Sequence, residues 1–177
     1  MLTGDKGETA KMIGLLCGML HSNHGSEDTP SKTVFTRLNE DTSTDIIEEF
    51  SRLHEIIKNG NKLEIMISGV KLAYILNHKE ALNLVEKVLS EAAAVIIYRA
   101  KPLDKANVVN FIRMRNRGKI TLAIGDGAND VNMIQSAHIG VGIKGKEGNQ
   151  ASMFADYSIP EFRGLRRLIF WHGRNVS

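Results

Sequence analysis

The feature that most constrains this chain is an apolar run that ends abruptly in a loop of glycines and acids. Lys119 to Ile124 has the length and composition of a strand, and Gly125-Asp126-Gly127-Ala128-Asn129-Asp130 follows it directly. Apolar residues at helical spacing then continue from Val131 to Gln135. A strand, a tight loop and a helix in this order are typical of an open parallel α/β sheet, where ligands bind beyond the carboxyl ends of the strands.

The loop carries three side chains with hard oxygen ligands, namely Asp126, Asn129 and Asp130. Two carboxylates and an amide at close spacing suit Mg²⁺ better than a transition metal. A simple turn would show the same residues without binding anything, because Asp, Asn and Gly all tolerate turn geometry. The rest of the chain decides between these two interpretations.

Apolar runs of strand length alternate with amphipathic stretches along the whole chain. The expected strands cover 34–38, 63–67, 94–98, 119–124, 139–143 and 157–159. The expected helices cover 12–20, 46–57, 71–76, 79–93, 102–117, 131–135, 148–155 and 162–172, with a surface loop over 22–33. In the first helix, the apolar residues between Met12 and Leu20 have amphipathic helical spacing, and Cys17 lies on their apolar stripe. This alternation predicts a three-layer α/β/α domain with a mostly parallel, doubly wound sheet.

Composition excludes several classes of protein. With 177 residues, 42% of them hydrophobic, the chain can bury a substantial core. A single cysteine excludes an internal disulfide framework, and a net charge of +3 with dispersed basic residues gives no basis for nucleic-acid binding. No apolar run approaches the roughly 18 residues of a membrane span, and no signal peptide is visible. The chain itself is therefore expected to be soluble.

Two further patterns could be mistaken for ligand sites. Gly140 to Gly145 reads Gly-x-Gly-x-x-Gly, but its glycines fall inside an expected strand and Asp156 follows too soon for ribose recognition. Close backbone packing explains these glycines better than a dinucleotide. Cys17, His21 and His24 could form a metal cluster, although no second thiolate lies nearby. Neither pattern is expected to bind a ligand.

Four loops stand at or just beyond the carboxyl ends of expected strands: Thr3-Gly4-Asp5, Ser68-Gly69, Arg99 to Lys105, and Asp126 to Asp130. Together they supply a hydroxyl, backbone amides, two cations and several carboxylates. A phosphoryl group with Mg²⁺ needs this mixture, because carboxylates hold the metal while cations and neutral donors stabilise the phosphoryl oxygens. No acid stands in the strand-end context of a phosphoryl-accepting nucleophile.

These residues carry a resemblance to a known family. Thr3-Gly4-Asp5-Lys6, Pro102-x-x-Lys105 and Gly125 to Asp130 resemble, in this order, the phosphorylation-domain signatures of P-type ATPases, members of the haloacid dehalogenase (HAD-like) superfamily. Other segments most resemble the phospholipid-transporting branch, the P4-type ATPases or flippases: 133–138, 140–143, 147–151, 155–159, Phe162 and 172–174. The resemblance covers 1–20, with the Thr-Gly-Asp loop and first helix, and 63–174, with the catalytic loops. Residues 21–62 are interpreted as a variable insert.

The resemblance implies roles for the acidic loop and the lysine. Asp126 would be a Mg²⁺ ligand with Asp130 as a second one, and Lys105 would be the cation on the aspartyl phosphate. Asn129 would complete the surroundings of the metal, the phosphate and the bound nucleotide, which is ATP.

The resemblance also implies roles for the first loop. Thr3 and the Gly4 amide would bond phosphoryl oxygens, while Asp5 would support their loop and Arg99 would lie near the nucleotide. Flippases usually carry an aspartate where this chain has Ser68. The contacts that the aspartate carboxylate would make are therefore not expected in this chain.

The segment with the phosphorylated aspartate is absent from the sequence. Residues 1–177 are therefore expected to be the carboxyl-terminal portion of a phosphorylation domain, inactive when isolated, with 163–177 leading toward a membrane helix. The implied partners are ATP, a phospholipid, an accessory membrane subunit, and the nucleotide, actuator and membrane domains of the same polypeptide. The implied location is the cytoplasmic face of a membrane.

Three alternatives remain open on the residues alone. A cation-transporting P-type ATPase shares the three signatures, and a soluble phosphatase of the HAD superfamily shares the threonine, the lysine and the paired carboxylates. A regulatory domain fused to another enzyme would also be compatible with this sequence.

Overall fold

The computed structural model describes residues 1–21, 32–116, 118–144 and 149–172. The chain divides into two compact units, Met1–Lys101 and Pro102–Ser177. Each unit contains a parallel three-stranded sheet. Parallel strands connected through helices confirm the predicted α/β class. One doubly wound sheet was predicted, and the structure describes two three-stranded sheets.

The first unit has the strand order β1-β2-β3. Its elements are α1 (Gly7–Leu16), β1 (Thr33–Leu38), α2 (Ile46–Lys58), β2 (Lys62–Ser68), α3 (Gly69–Asn77), α4 (Leu82–Glu91) and β3 (Ala94–Tyr98). Leu2 forms a parallel bridge with Ile97 of β3, which fixes the start of the chain beside the sheet. The helix α2 begins where Asp45 accepts a hydrogen bond from the Ile47 amide at 2.8 Å, and Gly60 follows its end with a φ of +78°.

The core of the first unit lies on both faces of its sheet, because successive side chains of a strand point to opposite faces. One face holds a buried cluster around α1, made of Ala10, Leu20, Met66, Ile96 and Tyr98. The opposite face carries Ile65 and Ile67, which are fully buried where α2 packs against β2. Helices on both faces of one parallel sheet give this unit the predicted three-layer order.

The helix α1 buries its small residues most completely. Its buried residues are Gly7, Ala10 and Gly14, whereas Leu16 is 82% exposed and Cys17 is also exposed. A Cβ atom at Gly14 would lie 2.6 Å from Cδ1 of Ile96, so glycine lets the helix approach β3 without moving that side chain. Within the predicted apolar stripe, Leu20 is buried in the core and Leu15 and Met19 pack against it, so the stripe is only partly buried.

The second unit has the strand order β4-β5-β6. Its elements are α5 (Pro102–Arg115), β4 (Leu122–Gly125), a 3₁₀ turn (Ala128–Asp130), α6 (Val131–Ser136), β5 (Ile139–Ile143), α7 (Gln150–Met153), β6 (Tyr157–Ile159), α8 (Gly164–Arg167) and a π-helical turn (Leu168–His172). The strand β4 begins three residues later than predicted, and Ile120 before it is 75% exposed. An apolar run that starts outside the sheet therefore made the expected strand too long.

The glycines of β5 sit against helices, as the packing interpretation predicted. A Cβ atom at Gly140 would lie 2.5 Å from Cγ2 of Ile134, and one at Gly142 would lie 2.5 Å from Cα of Ser152. These contacts confirm that the glycines allow α6 and α7 to approach the strand.

Replacing Gly142 with alanine is expected to lower the free energy of unfolding by about 1–3 kcal/mol, because the new methyl group meets backbone atoms of α7 rather than a flexible side chain. Urea denaturation followed by the fluorescence of Trp171, the only tryptophan, measures the free energy of unfolding of the second unit. Gly118→Ala is the matched control, since a Cβ there meets no described atom within 4 Å, and it should change stability by less than about 0.5 kcal/mol. Equal effects of the two substitutions would contradict the packing role.

Several predictions fall outside the described residues. They concern the surface loop over 22–31, His24, Gly145, the pair Glu147-Gly148, and Gly173-Arg174. Among the residues that are described, no helix has the length and apolar character needed to cross a membrane.

Candidate functional site

The three predicted loops of the first unit meet at the carboxyl end of β3. The Ala100 amide donates to the Thr3 carbonyl and the Arg99 amide donates to the Asp5 carbonyl, both at 2.9 Å. The Thr3 hydroxyl donates to Oδ2 of Asp5 at 2.8 Å, and the Asp5 amide donates back to that hydroxyl at 3.2 Å. The loop of Thr3, Gly4 and Asp5 is thus closed by its own side chains and fixed to the end of the strand.

Arg99 has a strained backbone at this position. Its φ of +52° makes it the only described non-glycine residue in the left-handed region. The Arg99 carbonyl lies so close to Gly69 that a Cβ there would be 2.5 Å from the oxygen. Strain of this kind costs on the order of 1–3 kcal/mol and is concentrated at functional sites. The Arg99 side chain is half exposed, and its guanidinium is 2.8 Å from Oε1 of Glu40.

Ser68 takes a structural role in place of the carboxylate that the resemblance would supply. Its hydroxyl is buried and accepts a hydrogen bond from the Lys71 amide at 3.1 Å, which caps α3. A serine can therefore begin this helix without placing a negative charge in the interior.

Lys71 is a buried cation that the sequence patterns did not reveal. Its side chain is 1% exposed, and its Nζ donates to the Asp41 carbonyl at 2.8 Å and to the Thr44 hydroxyl at 2.7 Å. Oε2 of Glu49 lies 3.0 Å away and accepts no hydrogen bond of good geometry, so that contact is ionic. The lysine thereby connects α3 to the segment that leads into α2.

Glu64 is a second buried charge that was missed. It is 1% exposed within β2, and its carboxylate accepts a hydrogen bond from the His21 amide at 3.1 Å and contacts the His21 Nδ1 at 2.5 Å. His21 was considered as a metal ligand with Cys17, but its described partner is this carboxylate. The Cys17 thiol instead donates to the Gly14 carbonyl at 3.6 Å.

Arg37 and Glu8 form an ion pair near the start of α1. A hydrogen bond from Arg37 lowers the pKa of the Glu8 carboxyl, and the same guanidinium lies 5.1 Å from the Tyr98 ring centre. Glu8 is exposed, so this pair adds little to stability.

In the second unit, Lys105 pairs directly with Asp130. Lys105 Nζ is 2.8 Å from Oδ1 of Asp130, and these side chains are only 11% and 12% exposed. The Gly127 amide donates to Oδ2 of the same carboxylate at 3.4 Å. A Cβ atom at Gly125 would lie 2.4 Å from Cβ of Asp130, so glycine is needed where β4 ends. The structure thus brings together the lysine signature and the acidic loop.

Asp126 and Asn129 stand exposed beside this pair. Within the described part of the chain, neither side chain makes a hydrogen bond or an ion pair, so their oxygens are available to a ligand. A free carboxylate and a free amide oxygen fit the donor preference of Mg²⁺. Both oxygens of Asp130 already have partners, and metal ligation by Asp130 would have to replace one of them.

The described residues contain no cluster of three or more His, Cys, Asp or Glu side chains that could hold a metal by themselves. A Mg²⁺ ion at Asp126 would therefore need other oxygens, such as those of amides, backbone carbonyls, water or a phosphate. This requirement agrees with the chemistry of a phosphoryl site, where the ion bridges protein and phosphate oxygens. The roles of these residues toward metal, phosphate and nucleotide stay predictions.

Comparisons with known proteins identify relatives of the whole chain. Residues 73–149 match the haloacid dehalogenase-like hydrolase family. Over 98% of its length the chain is 40% identical to the probable phospholipid-transporting ATPase DNF3 of Saccharomyces cerevisiae, covering 10% of that protein. It is 35% identical to phospholipid-transporting ATPase 11C of Mus musculus, again over 98% of the chain and covering 17% of the relative. It is 41% identical, over the same share of the chain, to phospholipid-transporting ATPase dnf1 of Schizosaccharomyces pombe, covering 12% of it.

The matched relatives are far longer than this chain, which spans 17% or less of their length. Each match nevertheless covers 98% of the chain, and so includes the stretch that was interpreted as a variable insert. The similarity therefore concerns one segment of these ATPases.

Proposed function

We propose that this chain forms the Mg²⁺ and phosphate side of an aspartyl-phosphate site. The chain belongs to the phospholipid-transporting branch of the P-type ATPases, within the haloacid dehalogenase superfamily. The longer protein that contains it would use ATP to move a phospholipid across a membrane, with this domain on the cytoplasmic face. Its partners would be the nucleotide, actuator and membrane domains of the same polypeptide, together with an accessory membrane subunit.

The observation that carries this proposal is the buried pair of Lys105 and Asp130 beside the free oxygens of Asp126 and Asn129. An ammonium group held at a fixed point can stabilise negative charge that develops on a phosphoryl oxygen without reorganising during the reaction. Asp130 is suited to hold the lysine in position. Asp126 and Asn129 would hold Mg²⁺, which when bound neutralises and orients phosphoryl oxygens.

Residues of the first unit also have proposed roles toward phosphate and nucleotide. The Thr3 hydroxyl and the Gly4 amide would bond phosphoryl oxygens, while Asp5 orients the hydroxyl through their 2.8 Å hydrogen bond. Arg99 would leave its exposed partner Glu40 to contact the nucleotide, an exchange that costs little because exposed ion pairs are weak.

A chimeric enzyme tests this proposal. In phospholipid-transporting ATPase 11C, the segment that matches this chain is replaced by residues 1–177. We expect the chimera to form an acid-stable phosphoenzyme from ATP and to show lipid-stimulated, Mg²⁺-dependent ATPase activity. Asp126→Ala should abolish this activity, because it removes the free carboxylate proposed as the metal ligand.

The isolated chain is the control, and it should release no phosphate from ATP because its sequence supplies no nucleophile. Robust Mg²⁺-dependent turnover by the isolated chain, lost in Asp126→Ala, would contradict the proposal and favour a soluble phosphatase. A folded chimera stimulated by cations instead of lipid would favour a cation pump. A folded chimera that forms no phosphoenzyme would favour a regulatory domain.

A further inference from the structure

Four exposed apolar side chains lie in one short segment that follows β6. Phe162, Phe170 and Trp171 are 62%, 73% and 70% exposed, and Ile169 is 46% exposed. Large apolar side chains that stand together in water usually mark a surface that a partner covers. We refer to residues 162–171 as the arginine-aromatic segment.

The same segment carries positive charge that is largely uncompensated. It contains Arg163, Arg166 and Arg167, and Glu161 immediately before it is the nearest acid in sequence. Arg163 pairs with that glutamate at 2.5 Å. Arg166 and Arg167 make no ion pair within the described part of the chain, and both are exposed. Two free guanidinium groups therefore face the surroundings.

The cations and the aromatic rings lie on one surface. Arg163, Arg166, Arg167, Phe170 and Trp171 line a surface cavity of about 350 Å³. Phe170 follows Arg166 by four positions, as Trp171 follows Arg167, which is the spacing of neighbours on a helix. A partner that covers this surface must pair with the guanidinium groups and also bury the apolar rings next to them.

We infer that the arginine-aromatic segment binds the surface of a bilayer that contains anionic phospholipids. Guanidinium groups bind phosphate and carboxylate headgroups, and aromatic rings favour the interfacial layer where headgroups meet acyl chains. A soluble polyanion would satisfy the arginines but would leave Phe170 and Trp171 in water. The inference goes beyond the proposed transport function, because it concerns a surface of this chain alone.

Vesicle binding by the full chain tests this inference. Trp171 is the only tryptophan, so its emission reports directly on the segment. Vesicles of phosphatidylcholine and phosphatidylserine should shift that emission to shorter wavelength, whereas vesicles of phosphatidylcholine alone should not. Raising the salt concentration should weaken binding, because screening shortens the reach of the surface charge.

Substitutions separate the contributions of charge and of the apolar ring. Replacing both Arg166 and Arg167 with glutamine should lower the vesicle partition coefficient roughly 30-fold, since each basic residue near an anionic surface contributes a factor of about five. Phe170→Ser should lower it roughly 10-fold by removing a ring from the interface. These side chains are exposed, and circular dichroism checks that each variant is folded.

The matched control removes the same charge elsewhere in the second unit. Lys119 and Lys144 are both exposed, and replacing both with glutamine should leave binding within about twofold of the unmodified chain. Equal losses in the control and the arginine variant would overturn the inference, because net charge alone would explain binding. Equal binding to neutral vesicles, or the same emission shift with polyglutamate, would also overturn it.

Discussion

Replacing Lys71 with methionine is expected to lower the free energy of unfolding of the first unit by about 3–5 kcal/mol. The substitution removes a buried cation that donates to the Asp41 carbonyl and the Thr44 hydroxyl and lies 3.0 Å from Glu49. Methionine fills a similar volume, so the loss comes from the unpaired acceptors and not from a cavity. The Glu49 carboxylate, 22% exposed, would keep its charge in a partly buried position without its partner.

Hydrogen exchange measured by mass spectrometry locates this effect. Amides in α2, in α3 and in the segment 41–45 should exchange faster in Lys71→Met, because the lysine is the contact that joins them. The overall loss is measured by urea denaturation followed by circular dichroism, since the only tryptophan belongs to the second unit.

Lys58→Met provides the control for that result. Lys58 pairs with Glu55 on the surface of α2, with both side chains more than half exposed. Exposed pairs of this kind contribute little, so stability should change by less than about 1 kcal/mol. If Lys71→Met were as stable as Lys58→Met, the buried network would have no net role in holding α2 and α3 together.

The network around Lys71 also shows what the sequence could not reveal. Lys71 and Thr44 are 27 positions apart, and His21 and Glu64 are 43 positions apart. Hydrophobic periodicity reports which face of an element is apolar, but it carries no information about which polar groups meet across elements. The only sequence signal for these buried charges was a charged residue inside a strand or a short helix. This signal is weak, because a lysine or glutamate at such a position is usually exposed.

The bounds of β3, β5 and β6 agree with the expected ranges. For β3 the reason is a continuous apolar run bounded by polar residues, which leaves little choice of where the strand begins and ends. The start of β4 and the exposure of Leu16 in α1 were not predicted, for a common reason. Ile120 and Leu16 are apolar but exposed, and the local sequence does not specify whether a partner covers an apolar side chain.

The candidate site was predictable in part, because parallel strands deliver the loops at their carboxyl ends to the same edge of a sheet. This rule correctly placed Thr3 beside Arg99 at the end of β3, whereas Lys105 contacts the acidic loop from the helix α5. The rule could not reveal that Lys105 would contact Asp130 directly, or that Arg99 would adopt a strained φ. Those details depend on side-chain packing and on the approach of Gly69 to the Arg99 carbonyl.

Replacing Lys105 with methionine in the chimeric ATPase is expected to lower turnover by roughly 10²–10³-fold, the cost of removing one preorganised group that stabilises transition-state charge. The expected defect lies in the phosphoryl-transfer steps, and it is measured as the rates of phosphoenzyme formation and decay. Lys119→Met is the matched control, because it removes an exposed lysine from the same unit and should leave both rates unchanged.

A double variant distinguishes this catalytic role from a structural one. Lys105→Met alone leaves the Asp130 carboxylate, 12% exposed, without its cation, so the isolated chain should also lose stability. Adding Asp130→Asn removes that unpaired charge and should recover most of the lost stability. Turnover should stay low in the double variant, because the ammonium group is still missing. If the second substitution restored turnover together with stability, Lys105 would act only by holding Asp130, and its assignment as the cation on the phosphoryl group would be wrong.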